Sequence, residues 1–442
     1  MDLTKDNIAH LIRKIALPTS TGYFFNTMFN VTDTYFAGQI STDALSAMSL
    51  SFPVFFLIVA FGAGFSTAVT ALIGNALGRK NYTEAKVYSS QVIPFIFFLA
   101  IILSSLGLSL APSLFKLMGA TTTQYLNLCL EYINIIFYFS FAFMANYLFN
   151  GILSSKGDTK SFRNVLIVGF FLNIALDPLF IHFFGLKGVA ISTGIIQTMG
   201  SFYMLYRVLT SDMMSKTIKD FIPKLNIFKS FFSQGIPSCV NMLTVALGSF
   251  IITFFVSKFG KEAVASYGAA LRVEQIMLLP TIGLNAALLS ITAQNFGAGN
   301  FKRVMEVRYK AFNYGLILAL SGMIIIFLFG EMIVSLFSES PEVIKHGVAY
   351  LYIDTIAFFA YVMLFLNVAF LQGLKKPVYS LYIGLIRQII LPIIILFPVV
   401  YIYKCGLYSI YWSFIVITWI SAILIYLIAR KHLCKLLEGK II

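Results

Sequence analysis

The chain alternates long apolar runs with short polar interruptions. The runs begin near residues 15, 46, 87, 131, 164, 188, 234, 264, 311, 348, 378 and 407. Several last roughly 20 residues, the length an α-helix needs to cross a hydrocarbon layer about 30 Å thick. The pattern predicts about twelve membrane-spanning helices, whereas a transmembrane barrel would show short segments of alternating polarity. Composition agrees: 59% of the 442 residues are hydrophobic, 16% aromatic and 11% charged, too little polar surface to enclose such a chain in water. The reading is an all-α polytopic membrane protein.

An even number of spans puts both termini on one side, and basic residues gather in cytoplasmic loops. The loops on the terminus side hold 24 Lys and Arg, Lys440 among them, and the opposite loops hold 6, with Arg272 and Arg387 inside spans. Both termini are therefore expected in the cytoplasm, with the chain in the cytoplasmic (inner) membrane. The formal charge of +14 follows from this topology and gives no reason to invoke nucleic acid. Cys129, Cys239, Cys405 and Cys434 are scattered singly, a pattern that suggests neither a zinc site nor a disulfide framework. The opening MDLTKDNIAHLIRK lacks the apolar core and cleavage site of a removable signal peptide.

Shifting the sequence by 219 positions lays residues 18 to 83 over 237 to 302 without a gap. Pro18 meets Pro237, Thr34 meets Thr253, Phe36 meets Phe255, Gly64 meets Gly283, Gly78 meets Gly297 and Asn81 meets Asn300. Prolines and glycines fix bends and close helix approaches, so matched punctuation predicts two six-helix lobes of similar shape. Six is even, so the repeats are parallel. The expected division is 1–215 and 216–442, joined by a cytoplasmic strap at about 210–230, the longest polar interruption in mid-chain.

The segments NVTDTYFAGQISTDALSAMSL and LIGNALGRKN, with their partners FFVSKFGKEAVASYGAALRVE and GLNAALLSITAQNFGAGN, resemble the two repeats of the multidrug and toxic compound extrusion (MATE) family. The likeness extends through FFLNIALDPLFI and GLKGVAIST and covers nearly all of the chain. It implies twelve transmembrane helices in a V-shaped pair of lobes and a cation-coupled exporter.

Ionisable residues at bilayer depth need a partner, a water-filled cavity or a task. Asn26, Asn30 and Asp33 in the first span are spaced four and three apart, along one face of a helix. In the fifth span Asn173 and Asp177 lie one turn apart, and Pro178 frees the carbonyl of Ile174. Two carboxylates, an amide oxygen and a hydroxyl from Thr193 would make an oxygen-rich cage suited to Na⁺ or protons. The repeat supplies an internal control: Asp33 falls on Ile252, Asn173 on Pro392, Asp177 on Leu396 and, with a two-residue slip, Thr193 near Phe414. The second lobe keeps the punctuation and lacks these oxygens, as expected if they serve a site rather than hold helices together. The resemblance points the same way. Its DinF-like branch carries the cation site in the N-terminal lobe, where Asp33, Asn173, Asp177 and Thr193 match the motif and Asn146 and Asn150 match polar cavity positions. The NorM-like branch has an acid in the seventh span, and none stands in this one.

In the second half, Arg272 and Glu274 are two apart and cannot face each other on a helix, so each needs a partner elsewhere. Arg387 is the candidate for Glu274, forming a gate or clamp. Asp354 lies near the outer end of its span and is read as solvated.

The chain has no G-x-x-x-x-G-K-[ST] loop, which directs attention to an ion gradient as the energy source. The expected function is an antiporter in which H⁺ or Na⁺ entering at Asp33 and Asp177 is coupled, by alternating access, to export of amphipathic, cationic compounds. No cofactor is called for. Pro18 and Pro178 are places where helices can bend, and a monomer is expected because each lobe has its partner in the same chain. A flippase for lipid-linked saccharide would want a more cationic cavity than two intramembrane arginines supply. A membrane-embedded lipid enzyme would want catalytic clusters, whereas His10, His182, His346 and His432 stand far apart.

Overall fold

The computed structural model describes residues 1–120 and 122–438. Lys440, counted above among the cytoplasmic cations, lies outside them. All regular structure among the described residues is helical: α1 (Ile8–Ile40), α2 (Thr42–Gly78), α3 (Tyr82–Leu117), α4 (Thr123–Tyr138), α5 (Ser140–Ser155), α6 (Lys160–Phe184), α7 (Leu186–Thr210), α8 (Leu225–Val256), α9 (Lys261–Gly297), α10 (Phe301–Ser335), α11 (Pro341–Asp354), α12 (Phe358–Gly373), α13 (Val378–Leu385), α14 (Leu391–Phe397) and α15 (Leu407–Leu437). α4 and α5 make one span bent by 48°. α11 and α12 are joined by a 3₁₀ turn, and α13 and α14 run on through π-helical turns at Ile386–Ile390 and Pro398–Ile402. The elements therefore form the twelve expected rods.

Nine rods among the described residues are long and apolar enough to cross a membrane, and the bent pair makes a tenth. The two that fall short are α1 and α7. Their shortfall has a chemical cause, because α1 carries Asn26, Asn30 and Asp33 and α7 carries Ser192, Thr193 and Gln197. Local signals start several of the helices. Ser41 accepts from the backbone of Ala44 at 3.0 Å to cap α2, and Asn81 accepts from Glu84 at 3.1 Å to cap α3.

The fourth span of each half breaks at the same place. Phe139, between α4 and α5, lies 219 positions before Phe358, the first residue of α12. The break in the first half is accompanied by close packing of the Phe139 ring on Gly194 of α7.

Two compact units are present, Thr21–Cys239 and Met1–Ser20 with Val240–Ile442. In these units the base of α1 packs with the second half and the base of α8 with the first. The exchange is symmetric at atomic detail. In the first unit Cys239 Sγ donates to the carbonyl of Phe61 at 3.7 Å, and in the second Ser20 Oγ donates to Pro280 at 3.4 Å, each pair being the other shifted by 219. Gly64 permits the first crossing, since a Cβ there would stand 2.6 Å from the backbone nitrogen of Cys239. Gly283 permits the second, where a Cβ would stand 3.0 Å from the carbonyl carbon of Ala16. Within lipid, such close backbone contact supplies the dispersion energy that helix association relies on.

The strap is the segment 211–224, tied to α3 within the first unit. Gln91 donates to the carbonyls of Asp220 and Ile222 at 2.6 Å each and accepts from the backbone of Lys224 at 2.7 Å. Lys86 pairs with Asp212 at 2.9 Å, which holds that exposed carboxyl below its ordinary range.

Candidate functional site

Three helices of the first unit bring the sequence-predicted oxygens together. Asn173 and Asp177 face inward from α6 because they are one turn apart, and both are completely buried. Asp33 of α1 is 4% exposed, and its Oδ1 accepts from Asn173 Nδ2 at 2.8 Å. Asp177 Oδ1 accepts from Ser192 Oγ of α7 at 2.5 Å. Asp177 and Thr193 both act electrostatically on the Asp33 carboxyl, so the four residues surround one point.

Three oxygens at that point have no hydrogen-bond partner: Asn173 Oδ1, Asp177 Oδ2 and Thr193 Oγ1. Buried acceptors left unpaired are costly, and buried carboxylates side by side more so. Neither Asp33 nor Asp177 makes an ion pair with any described residue. The donor set is all oxygen, with up to two negative charges and no cation, which suits a hard monovalent ion or protons. Tyr132 of α4, also buried, stands within electrostatic range of both carboxylates.

Asn26, Asn30, Asn146 and Asn150 are the residues expected to line a substrate cavity. Asn30 is exposed and donates to the carbonyl of Asn26 on its own helix at 2.8 Å, while Asn26 is half-buried. Asn146 bridges α5 to α7, donating to the carbonyl and the Oε1 of Gln197 at 2.8 Å each. Asn150 accepts from Ser154 one turn along its helix at 3.1 Å. α1 and α6 continue through Pro18 and Pro178 without a break. Ser192 and Tyr132 were missed by sequence reasoning. For Ser192 the signal was its place beside Thr193, and Tyr132 carried none.

The second unit holds a polar cluster of different composition. Glu274 of α9 accepts from the hydroxyl of Tyr350 at 2.9 Å, and Asp354 accepts from Tyr361 at 3.4 Å. Asp354 is 3% exposed with Oδ2 unpartnered, which overturns its reading as a solvated span end. The physical reason is that α11 ends at Asp354 in the 3₁₀ turn inside the span, not at the membrane surface. Arg387 stacks over Tyr361 at 5.0 Å and Phe365 at 5.8 Å. It interacts electrostatically with Glu274 and Asp354 but forms no ion pair within 4.0 Å with either. Arg272 is exposed.

Comparison with known proteins gives consistent results. The family profile described as MatE matches residues 18–179 and 237–397, which are the two sequence repeats. A protein of Shewanella oneidensis named "FAD transporter" is 26% identical over 393 residues, 87% of this chain and 86% of its own length. "Probable multidrug resistance protein YoeA" of Bacillus subtilis is 29% identical, over 69% of this chain and 67% of its own. "Multidrug export protein MepA" of Staphylococcus aureus is 24% identical over 98% of each chain. Among solved structures, a MOP superfamily transporter from Pyrococcus furiosus superposes with a TM-score of 0.91 at 24% identity, covering 98% of both chains.

Proposed function

The chain belongs to the MatE family of membrane transporters, and from that premise we propose that it is an antiporter that exports amphipathic cations in exchange for H⁺ or Na⁺. It is a multi-pass membrane transporter and not an enzyme. In the proposed cycle the coupling ion binds at Asp33, Asn173, Asp177 and Thr193, with Ser192 orienting the Asp177 carboxylate. The observation that carries this reading is the set of three unpartnered buried oxygens beside two carboxylates, at positions where the second half has Ile252, Pro392, Leu396 and a residue near Phe414.

Coupling requires that ion and substrate favour different conformations, since a ligand indifferent to conformation shifts nothing. α1 fits that requirement. Its base belongs to one compact unit, and the part bearing Asp33 belongs to the other. An ion bound at Asp33 therefore acts on a helix shared between the units. We place the chain in the cytoplasmic membrane as a monomer with both termini in the cytoplasm.

The test is efflux of a fluorescent cationic dye from proteoliposomes under an imposed Na⁺ gradient and, separately, an imposed pH gradient. Asp33→Asn is expected to abolish ion-driven efflux, and the gradient that drives the wild type names the ion. FAD, an anion named for one relative, is run as a competing cargo. Transport of FAD without transport of dye would overturn the cationic-substrate reading, and unchanged driven efflux in Asp33→Asn would overturn the site.

A further inference from the structure

The two units treat the basic residues of the terminus-side loops differently. In the first, Arg79 pairs with Glu84, Lys86 with Asp212, Arg207 with Asp158 and Lys224 with Asp220. In the second, Lys376, Lys431 and Lys435 pair with no described residue. The positive-inside rule accounts for basic residues in both halves but not for their neutralisation in one alone. The internal repeat shows the change at one place. In the first unit the loop before α6 is tied to the end of α7, where Asp158 pairs with Arg207 at 3.1 Å and Lys156 Nζ donates to the carbonyl of Ser211 at 2.7 Å. Shifted by 219, Gly157 falls on Lys376 and Asp158 on Pro377; with the two-residue slip, Arg207 falls on Ile428 and Ser211 on His432. The second unit lacks the acid at this place and has a lysine and a histidine that the first does not.

His432 of α15 is 7% exposed, and its Nδ1 is buried without a hydrogen-bond partner. A buried polar group left in that state costs free energy, so the position calls for a ligand. The Tyr379 ring of α13 stands against the imidazole at 5.0 Å between centroids. The charged groups that act on the imidazole are Lys376, Lys435 and Lys431, with no described carboxylate among them. Lys431 and Lys435 are exposed one turn apart on α15, and Lys376 is half-buried in the turn before α13. Three like charges gathered around one buried ring repel one another, and a bound anion removes that repulsion. The neighbouring surface is apolar. Val378 and Tyr382 of α13 are exposed, as are Leu427 and Leu424 of α15, four and seven residues before Lys431 on its own face. A soluble anion makes no use of such a surface, whereas the acyl chains of a lipid do.

We propose that this place is a phosphate site of the second unit, filled by the headgroup of an anionic phospholipid from the leaflet on the terminus side. His432 donates a ring N–H to a phosphate oxygen, and the ammonium groups of Lys376, Lys431 and Lys435 surround the phosphate. The acyl chains lie along Val378 and Tyr382 on one side and Leu427 and Leu424 on the other. The lipid thereby joins the start of α13 to the end of α15, as Asp158 and Lys156 join the loop before α6 to the end of α7 in the first unit. Neither the coupling ion nor the exported compound takes part, so the site stands apart from the antiporter reading.

The experiment uses full-length protein labelled with ¹³C at the histidine rings and stripped of lipid in detergent. The chain has four histidines, and replacing His10, His182 and His346 by Gln leaves the His432 resonance alone in the spectrum. Titration with dioleoyl phosphatidylglycerol is expected to shift that resonance and to raise the thermal midpoint. Dioleoyl phosphatidylcholine, whose phosphate is balanced by its own ammonium group, and inorganic phosphate at equal concentration are expected to do neither. Lys376→Gln, Lys431→Gln and Lys435→Gln should each weaken half-saturation by phosphatidylglycerol about fivefold, the equivalent of about 1 kcal/mol for each basic residue at an anionic surface. Asp33→Asn should leave it unchanged. A His432 resonance that ignores phosphatidylglycerol would overturn the site, and this arm needs none of the lysine variants to fold. An equal response to phosphatidylcholine would overturn the recognition of net charge, and an equal response to inorganic phosphate would overturn the lipid as occupant. Half-saturation unmoved by all three lysine substitutions would remove the lysines from the site and with them the proposal.

Discussion

Asp177→Asn isolates the charge at the first cluster from its shape. The amide has nearly the volume of the carboxyl, and its Oδ1 can still accept from Ser192, so the helices should pack as before. What disappears is one of two negative charges next to the unpartnered oxygens. A monovalent cation about 4 Å from a carboxylate gains about 4 kcal/mol at an effective dielectric constant of about 20. The amide dipole returns part of that, leaving a net loss of about 3 kcal/mol, or roughly 100-fold in affinity. The assay is isothermal titration of the purified protein with Na⁺ at fixed pH, repeated in Na⁺-free buffer with proton uptake as the readout. The wild-type coupling ion should show the 100-fold weakening. Half-saturation unchanged for both ions, in protein that elutes as wild type does from size exclusion, would refute the assignment of Asp177 as a ligand.

The helix crossings predict a contrast among glycines. Gly64→Val and Gly283→Val should each sharply reduce the yield of folded protein, because the new side chain meets backbone, whereas Gly268→Ala, with open space at its Cβ, should express normally. Asn146→Leu should lower the thermal midpoint by the equivalent of about 1–2 kcal/mol, through loss of its bonds to Gln197, while leaving coupling-ion affinity unchanged. A matching loss of ion affinity would instead place Asn146 in the site. Asp158, in the loop before α6, is pushed up by burial but more strongly held down by Ser161 and Arg207, so its carboxyl lies below the ordinary range. Its stabilisation is therefore present above the unfolded value, about 3.9, and lost as pH falls through the folded one. Thermal midpoints measured against pH should show an acid limb that is weakened in Asp158→Asn.

The sequence was informative wherever the physics is local or cumulative. Twelve spans are legible because hydrophobicity adds over some 20 residues, and the starts near 164, 188, 264, 378 and 407 lie close to those observed. The pairing of Asn173 with Asp177 is legible because a helix places residues four apart on one face. The repeat made Asp33 conspicuous against Ile252 without reference to any other protein. Even the weakness of α1 and α7 as apolar spans is a trace of the polar cluster, since polar side chains dilute the hydropathy of the helices that carry them.

What the sequence left open concerns rotation and partnership. Whether Ser192 or Thr193 reaches the Asp177 carboxylate depends on how α7 turns about its axis, which packing against α5 and α6 decides. Position along a span suggested solvent for Asp354, but the 3₁₀ break buried it beside Tyr361. Four and seven residues beyond Asn26, a shared face did not mean a shared environment, and Asn30 ended exposed while Asp33 was buried. The unit boundaries within α1 and α8 fall inside continuous helices, so no break in the chain marks them. They are set by which backbone Gly64 and Gly283 allow to approach, a contact between residues far apart in the chain that only the tertiary structure specifies.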